Sequence, residues 1–247
     1  MVEILNLCYN LSVMKQGILY IVATPIGNFG DMTKRAVEIL SVVDFVVCED
    51  TRVAGGLMHH FAIKKELVSL HQHSSEGKIN FIIRELEAGK SVAYVSDSGT
   101  PVISDPGSKL IQRIKKLSKS EIQNSNKIQI LPVPGASALT TAVSVSGMIE
   151  KEFYFVGFLP KKKGRETKFM ELAALKVPIV IYESAHRVER TLEDIKKNFG
   201  QKTEVFIARE MTKKFEEYWN GNIVEIISDL SNHKIKGEFV LITNRQE

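Results

Sequence analysis

Short apolar runs recur through the first half of the chain, and each is closed by a cluster of glycine, proline, hydroxyl and carboxylate residues. Residues 18–23 end in Thr24-Pro25-Ile26-Gly27-Asn28, residues 45–48 in Glu49-Asp50-Thr51-Arg52, residues 91–95 in Ser96-Asp97-Ser98-Gly99-Thr100-Pro101, and residues 128–131 in Pro132-Val133-Pro134-Gly135-Ala136-Ser137. A short apolar run bounded by turn residues reads as a buried parallel strand. Between these runs the spacing predicts helices over 31–40, 53–61, 77–87, 106–117 and 136–146, with one more short strand at 67–70. Asp105 before Pro106 is a helix start signal, because Asp accepts from first-turn amides and proline at the first helical position gives up no needed donor. The polar stretch 118–127 reads as a loop. Strands alternating with helices predict a mostly parallel sheet covered on both faces.

After Gly147 the pattern changes. Strands are predicted at 153–158, 179–182, 205–208, 215–219 and 239–243, with helices at 187–198 and 223–230, and the close spacing of the late strands predicts a mixed sheet. The expected fold is α/β, with two α/β domains and an interdomain cleft: an N-terminal extension at 1–16, a domain with a mostly parallel sheet at 17–149 and a domain with a mixed sheet at 150–247. Open α/β sheets take ligands outside the carboxyl ends of their strands, and clefts between domains favour small molecules. The polar clusters therefore mark the expected ligand crevice.

Composition removes several classes. Of 247 residues, 44% are apolar and 25% charged, which excludes disordered and fibrous proteins. The net charge of +4, from 33 Lys and Arg against 29 Asp and Glu, permits a nucleic-acid partner without requiring one. Cys8 and Cys48 sit in unrelated contexts, so neither a disulfide framework nor a cysteine metal site is expected, and a reducing cytoplasm is. No apolar stretch approaches the roughly 20 residues of a membrane span. Residues 1–14 carry Glu3 and Asn6 and lack a basic start, so no signal peptide is expected, and residues 1–13 read as a start-site extension.

The strand-end clusters carry the candidate chemistry. No Gly-x-Gly-x-x-Gly follows the first strand and no Walker-type loop occurs, so the ligand is not expected to be held by phosphates. Residues 96–101 offer a carboxylate, hydroxyls and a glycine, which suits the ribose, amino or sulfonium part of a nucleoside-like molecule; the competing reading is a plain turn with Asp97 as a helix cap. Glu49, Asp50 and Arg52 form either a site or a surface ion-pair network, and Glu183-Ser184-Ala185-His186-Arg187 and Arg209-Glu210-Met211-Thr212-Lys213 repeat the theme. His59, His60, His71 and His73 match no zinc spacing, and no metal is assigned. Lys161-Lys162-Lys163-Gly164-Arg165, with Phe158 just before it, reads as an RNA clamp with a stacking surface, against a solvated loop.

Taken in order, Thr24-Pro25-Ile26-Gly27-Asn28, Glu49-Asp50-Thr51-Arg52, Ser96-Asp97-Ser98-Gly99-Thr100-Pro101, Pro132-Val133-Pro134-Gly135, Gly157-Phe158-Leu159-Pro160, Tyr182-Glu183-Ser184-Ala185-His186-Arg187, Ala208-Arg209-Glu210-Met211-Thr212-Lys213 and Lys236-Gly237-Glu238 resemble the motif series of the ribosomal RNA small subunit methyltransferase I family, a branch of the tetrapyrrole methylase superfamily. The departures are mild: Ala136, Ser98 and Met211 replace residues usual in that family, and the 118–127 loop is longer.

The resemblance implies a two-domain, tetrapyrrole methylase-like enzyme, a cytoplasmic homodimer. It would use S-adenosylmethionine to methylate the ribose 2′-hydroxyl of a cytidine in the decoding region of small-subunit (16S) ribosomal RNA, free or within the small ribosomal subunit. Ser96, Asp97, Ser98, Gly99, Thr100, Pro134, Gly135, Ala136, Ser137 and Tyr182 are the expected cofactor residues. Glu49, Asp50, Glu183 and Glu210 are the candidate catalytic bases, and Arg52, Lys161, Lys162, Lys163, Arg165, Arg187 and Lys213 the expected RNA contacts. A corrin or porphyrin C-methylase and a diphthamide-pathway methylase would share fold and cofactor, and a non-catalytic RNA-binding module is the reading from another class.

Overall fold

A computed structural model describes residues 16–71, 74–102, 107–120 and 128–245. The extension 1–13, the Asp105-Pro106 helix start, Gln72, His73 and residues 121–127 of the expected loop lie outside the described residues.

The first unit holds the described residues up to Pro25 together with Gly30–Ala136. Its strands are β1 (Ile18–Val22), β2 (Phe45–Cys48), β3 (Glu66–Ser69), β4 (Ser91–Val95) and β5 (Gln129–Val133). They form a five-stranded sheet in the order β3-β2-β4-β1-β5, with every pairing parallel. The helices between them are α1 (Lys34–Val42), α2 (Thr51–His60), α3 (Glu76–Glu87) and α4 (Gly107–Ser120). Successive strand side chains point to opposite faces. Val46 and Cys48 accordingly pack with Ala36, Leu40 and Leu57 of α1 and α2, while Phe45 and Val47 pack with Ile82, Leu86, Leu110 and Ile114 of α3 and α4. Burial on both faces explains why these strands read as unbroken apolar runs.

Helix ends follow local chemistry more than hydrophobic spacing. α1 starts later than expected because Phe29–Asp31 forms a short 3-10 turn and Thr33 then caps the helix, accepting from the Ala36 amide at 3.1 Å. α2 starts early because Asp50 caps it, accepting from the Arg52 amide at 2.8 Å. α4 continues through residues 118–120, where a loop was expected.

The second unit holds Ile26–Phe29 and the described residues from Ser137 onward. It contains α5 (Ala138–Ser146), β6 (Tyr154–Phe158), α6 (Arg165–Ala173), β7 (Ile179–Ser184), α7 (Val188–Phe199), β8 (Thr203–Arg209), β9 (Glu217–Asn222), α8 (Ile223–Asp229) and β10 (Glu238–Arg245). The sheet order is β6-β7-β10-β8-β9; β6 and β7 are parallel and the other pairings antiparallel, which makes the sheet mixed. The units divide at Ala136/Ser137, ahead of the 149/150 boundary expected from sequence, because α5 packs on β10.

α6 was not expected. Its first turn belongs to the lysine-rich segment, yet Phe169 and Leu172 are buried on its inner side. β9 begins at Glu217 and not at 215, because its register with β8 pairs Arg209 with Glu217 and leaves 210–216 as the connecting loop. Among the described residues no helix is long and apolar enough to cross a membrane.

Leu192 is fully buried in the core formed by α6, α7 and one face of the second sheet. Leu192→Ala should lower unfolding free energy by about 2–5 kcal/mol in a urea titration. A change under about 1 kcal/mol would contradict its assignment to a packed core.

Candidate functional site

In a parallel sheet a crevice opens where neighbouring strands send their connections in opposite directions. β1 leads through α1 toward β2 on one side, β4 leads through α4 toward β5 on the other, and α1 and α4 cover opposite faces. The switch point therefore lies between the carboxyl ends of β1 and β4.

Backbone groups that leave the strand ladder there find partners in one another. The Ala23 amide donates to the Val133 carbonyl at 3.1 Å and the Thr24 amide to the Gly99 carbonyl at 3.0 Å. The buried Thr24 hydroxyl donates to the Ser96 carbonyl at 3.2 Å, and the Ser96 hydroxyl to the Gly99 carbonyl at 2.8 Å. Thr100 Oγ1 donates to the Ala136 carbonyl at 3.0 Å, and the Asp50 amide donates to Asp97 Oδ1 at 3.2 Å. Gly135 closes the knot, since a Cβ there would stand 2.9 Å from the Ala23 Cβ. Expected site segments from four strand ends thus meet, with Asp97 and Ser98 exposed above them.

Electrostatics distinguish the acids. The side-chain hydrogen bonds of Arg52, at 3.0 and 2.5 Å, together with the Arg52 amide, lower the Asp50 pKa to about 2. Burial first, and then the negative charges of Asp97 and Asp50, push the Cys48 thiol up to about 11, so it remains protonated and unreactive near neutrality. Glu49 lies half-buried beside Asp50 at the end of β2. Residues 96–101 and 132–136 contain carboxylate and hydroxyl groups and no lysine or arginine of their own; Arg35 reaches the Pro132 carbonyl at 3.4 Å, and Arg52 is held by Asp50. That donor set fits a cationic, phosphate-free nucleoside such as S-adenosylmethionine, and it does not fit a nucleotide held by its phosphates.

In the second unit several expected site residues are committed to the fold. Glu183, an expected base, is buried, accepting from the Thr191 hydroxyl at 2.7 Å and the Ser184 amide at 2.8 Å and pairing with Arg187 at 2.6 Å. Arg187 also donates to the Leu159 carbonyl at 2.9 Å. Arg165, an expected RNA contact, is only 3% exposed and bonds Asp194 at 2.7 Å, Thr191 Oγ1 at 2.8 Å and the Pro160 carbonyl at 3.2 Å. A buried charge needs partners, and Arg165 with half-buried Arg187 uses its partners to anchor the Leu159-Pro160 turn to β7 and α7.

Glu210 is likewise a brace. It accepts from Lys213 Nζ and from the Glu238 amide, both at 3.0 Å. Partial burial pushes its pKa up, but these bonds and the Lys213 charge outweigh burial and leave it lowered. Gly237 has φ +93°, and any Cβ there would run into the Glu210 carboxylate. Lys213 bonds Glu238 at 2.8 Å as well, so the cation is shared between two carboxylates. The Tyr182 hydroxyl is raised in pKa by burial, against hydrogen bonds from the Leu139 amide and Ser137, and these bring two expected cofactor residues together at the start of α5. Lys161, Lys162 and Lys163 are exposed, as is Phe158.

The sequence reading missed Thr191, Asp194 and the clamp made by Arg209. Two of them carried a faint signal: Thr191 lies on the apolar stripe of α7, and Arg209 ends a strand buried at every other position except Glu204. Among the described residues no group of three or more His, Cys, Asp or Glu is placed to hold a metal.

Comparison with known proteins bears on the family and the fold. The family model described as Tetrapyrrole (Corrin/Porphyrin) Methylases matches residues 18–227. Among solved structures, a cobalt precorrin-4 methyltransferase superposes with a TM-score of 0.66 at 16% identity, covering 92% of this chain and 94% of the other. A uroporphyrin-III C-methyltransferase from Thermus thermophilus, complexed with S-adenosyl homocysteine, gives 0.62 at 13% identity, covering 92% and 97%. At such identities the likeness is one of fold.

The chain therefore belongs to the tetrapyrrole methylase family. Many relatives at about 40% identity carry the name ribosomal RNA small subunit methyltransferase I. The protein of Synechocystis sp. is 41% identical over 227 residues, 92% of this chain and 78% of the relative. That of Mycoplasmopsis pulmonis is 43% identical over 224 residues, 91% and 96%, and that of Bacillus subtilis 41% identical over 229 residues, 92% and 74%. The chain falls in this branch, as its motif series implies.

Because the folded pKa of Asp50 lies below its ordinary value of 3.8, its cap and ion pair stabilise α2 above that pH and are lost as pH falls toward 2. Arg52→Ala should return the Asp50 titration, followed by carboxyl NMR, toward 3.8. A midpoint still near 2 would show that Arg52 is not the cause.

Proposed function

We propose that this chain is an S-adenosylmethionine-dependent ribosomal RNA methyltransferase that methylates the 2′-hydroxyl of a cytidine in the decoding region of small-subunit ribosomal RNA. The observation that carries the reading is the knot of loops at the β1/β4 switch point, whose exposed acid and hydroxyls suit a sulfonium nucleoside, in a chain about 40% identical to many ribosomal RNA small subunit methyltransferases I. When bound, S-adenosylmethionine supplies a methyl group activated by its sulfonium.

Asp97 acts in placement. A carboxylate beside a sulfonium favours the charged ground state over a transition state in which that charge fades, so its contribution is to hold and align. A ribose hydroxyl gains from a positioned proton acceptor. Arg52, Arg187 and Lys213 engage Asp50, Glu183 and Glu210 in ion pairs. Glu49, half-buried at the end of β2 next to the residue that bonds Asp97, is by its position the carboxylate proposed to take the proton from the 2′-oxygen. Lys161, Lys162 and Lys163 hold phosphates and Phe158 offers a ring to an unstacked base. Homodimeric assembly and residence in the cytoplasm complete the reading and rest on the family resemblance.

Incubation with methyl-labelled S-adenosylmethionine and either free small-subunit ribosomal RNA or assembled subunits should place label in a 2′-O-methylcytidine, and the Lys161, Lys162 and Lys163 to Ala variant should bind RNA with a shallower dependence on salt. Label on a base, or in a small tetrapyrrole alone, would refute the activity, and an unaltered salt slope would remove the lysines. Asp97→Ala should weaken cofactor affinity in calorimetry, whereas Glu49→Gln should keep that affinity and lower kcat by about 10²–10⁴-fold. The reverse pattern would exchange the two roles.

A further inference from the structure

Resting on the reading that RNA is the substrate, we propose a second RNA contact: the loop joining β8 to β9 presents Phe215 as a stacking platform for an unpaired nucleotide, with Lys214 and Lys234 placed for its phosphates. Phe215 is 54% exposed, so its ring is open to a stacking partner. The ammonium of Lys214 lies 5.6 Å from its centroid and that of Lys234 lies 5.4 Å away. Both ammoniums lie over the ring, so an incoming base would take their place on it while they move to its phosphates; bases on aromatic rings and phosphates on cations are how proteins hold single-stranded nucleic acid. A protein partner would more often bury such a ring in an apolar patch depleted of lysine.

The platform is built. Buried Arg209 donates to the Phe215 carbonyl at 3.3 Å and to the Lys236 carbonyl at 2.7 Å, and pairs with Glu217 at 3.0 Å, so one guanidinium ties the Phe215 loop to the segment carrying Lys234. Glu210 and Thr212 both adopt left-handed backbone, with φ +49° and +65°, which non-glycine residues rarely do. Strain of this kind persists only where surrounding contacts over-determine it. Here Glu210 is bonded to the Glu238 amide and Lys213, and the Thr212 amide donates to Glu216. The neighbouring acids are thus engaged by this scaffold: Glu216 by the Thr212 amide, Glu217 by Arg209, and Glu238 by Lys213.

The test compares wild type, Phe215→Ala, Phe215→Leu and Phe215→Trp for binding to free small-subunit ribosomal RNA and to assembled subunits, with cofactor affinity measured in parallel. Loss of a stacked base should cost Ala and Leu roughly tenfold or more in RNA affinity, while Trp retains binding and cofactor affinity stays unchanged in all. Lys214→Ala with Lys234→Ala should flatten the salt dependence, which the ring variants leave intact. Wild-type RNA binding with Phe215→Leu equal to wild type overturns the platform alone. Failure of the wild-type chain to bind or methylate either RNA overturns the functional reading, and the platform with it.

Discussion

A parallel strand ends with amides and carbonyls that its neighbours no longer satisfy, and the way β1 and β4 resolve that problem governs the first unit. Thr24, Ser96 and Gly99 bond one another across residues more than seventy positions apart in sequence, as the Thr24 to Ser96 and Gly99 separations of 72 and 75 show. Because the backbone consumes its own hydrogen bonds in closing the knot, the loop geometry is set by the fold. What is left exposed above it is a short row of acid and hydroxyl groups, with Asp97 and Ser98 foremost.

The second unit uses a different device. Several of its arginines are braces that hold loops: buried Arg165 and half-buried Arg187 secure the Leu159-Pro160 turn, and buried Arg209 secures the turn before β9. Removing one member of such a pair strands its partner in a low-dielectric surrounding, so these residues are fixed by architecture even though their types suggest chemistry. The exposed groups they position, Phe158 with Lys161 to Lys163 and Phe215 with its lysines, are the ones that face solvent.

How far the chain could be read follows from these two devices. The strand ends and both sheet types were legible because burial on two faces leaves unbroken apolar runs, and a mixed sheet leaves closely spaced ones. The strand-end clusters were legible as a group for the same reason. What individual acids do was not. Arg165 meets Asp194 and Thr191 at separations of 29 and 26 residues, and no local pattern tells a buried bridging arginine from one that waits for phosphate. α6 escaped because its polar first turn masks the short stripe of Phe169 and Leu172. The unit boundary escaped because α5 continues the alternation of the first unit in sequence while packing on β10 of the second.

The central claim is that the knot at the β1/β4 switch point receives the methyl donor. Amide NMR during titration with S-adenosyl homocysteine tests it most directly: the largest shifts should fall on residues 96–100 and on Gly135 and Ala136, saturating together. Saturable binding that leaves those amides unmoved would contradict it.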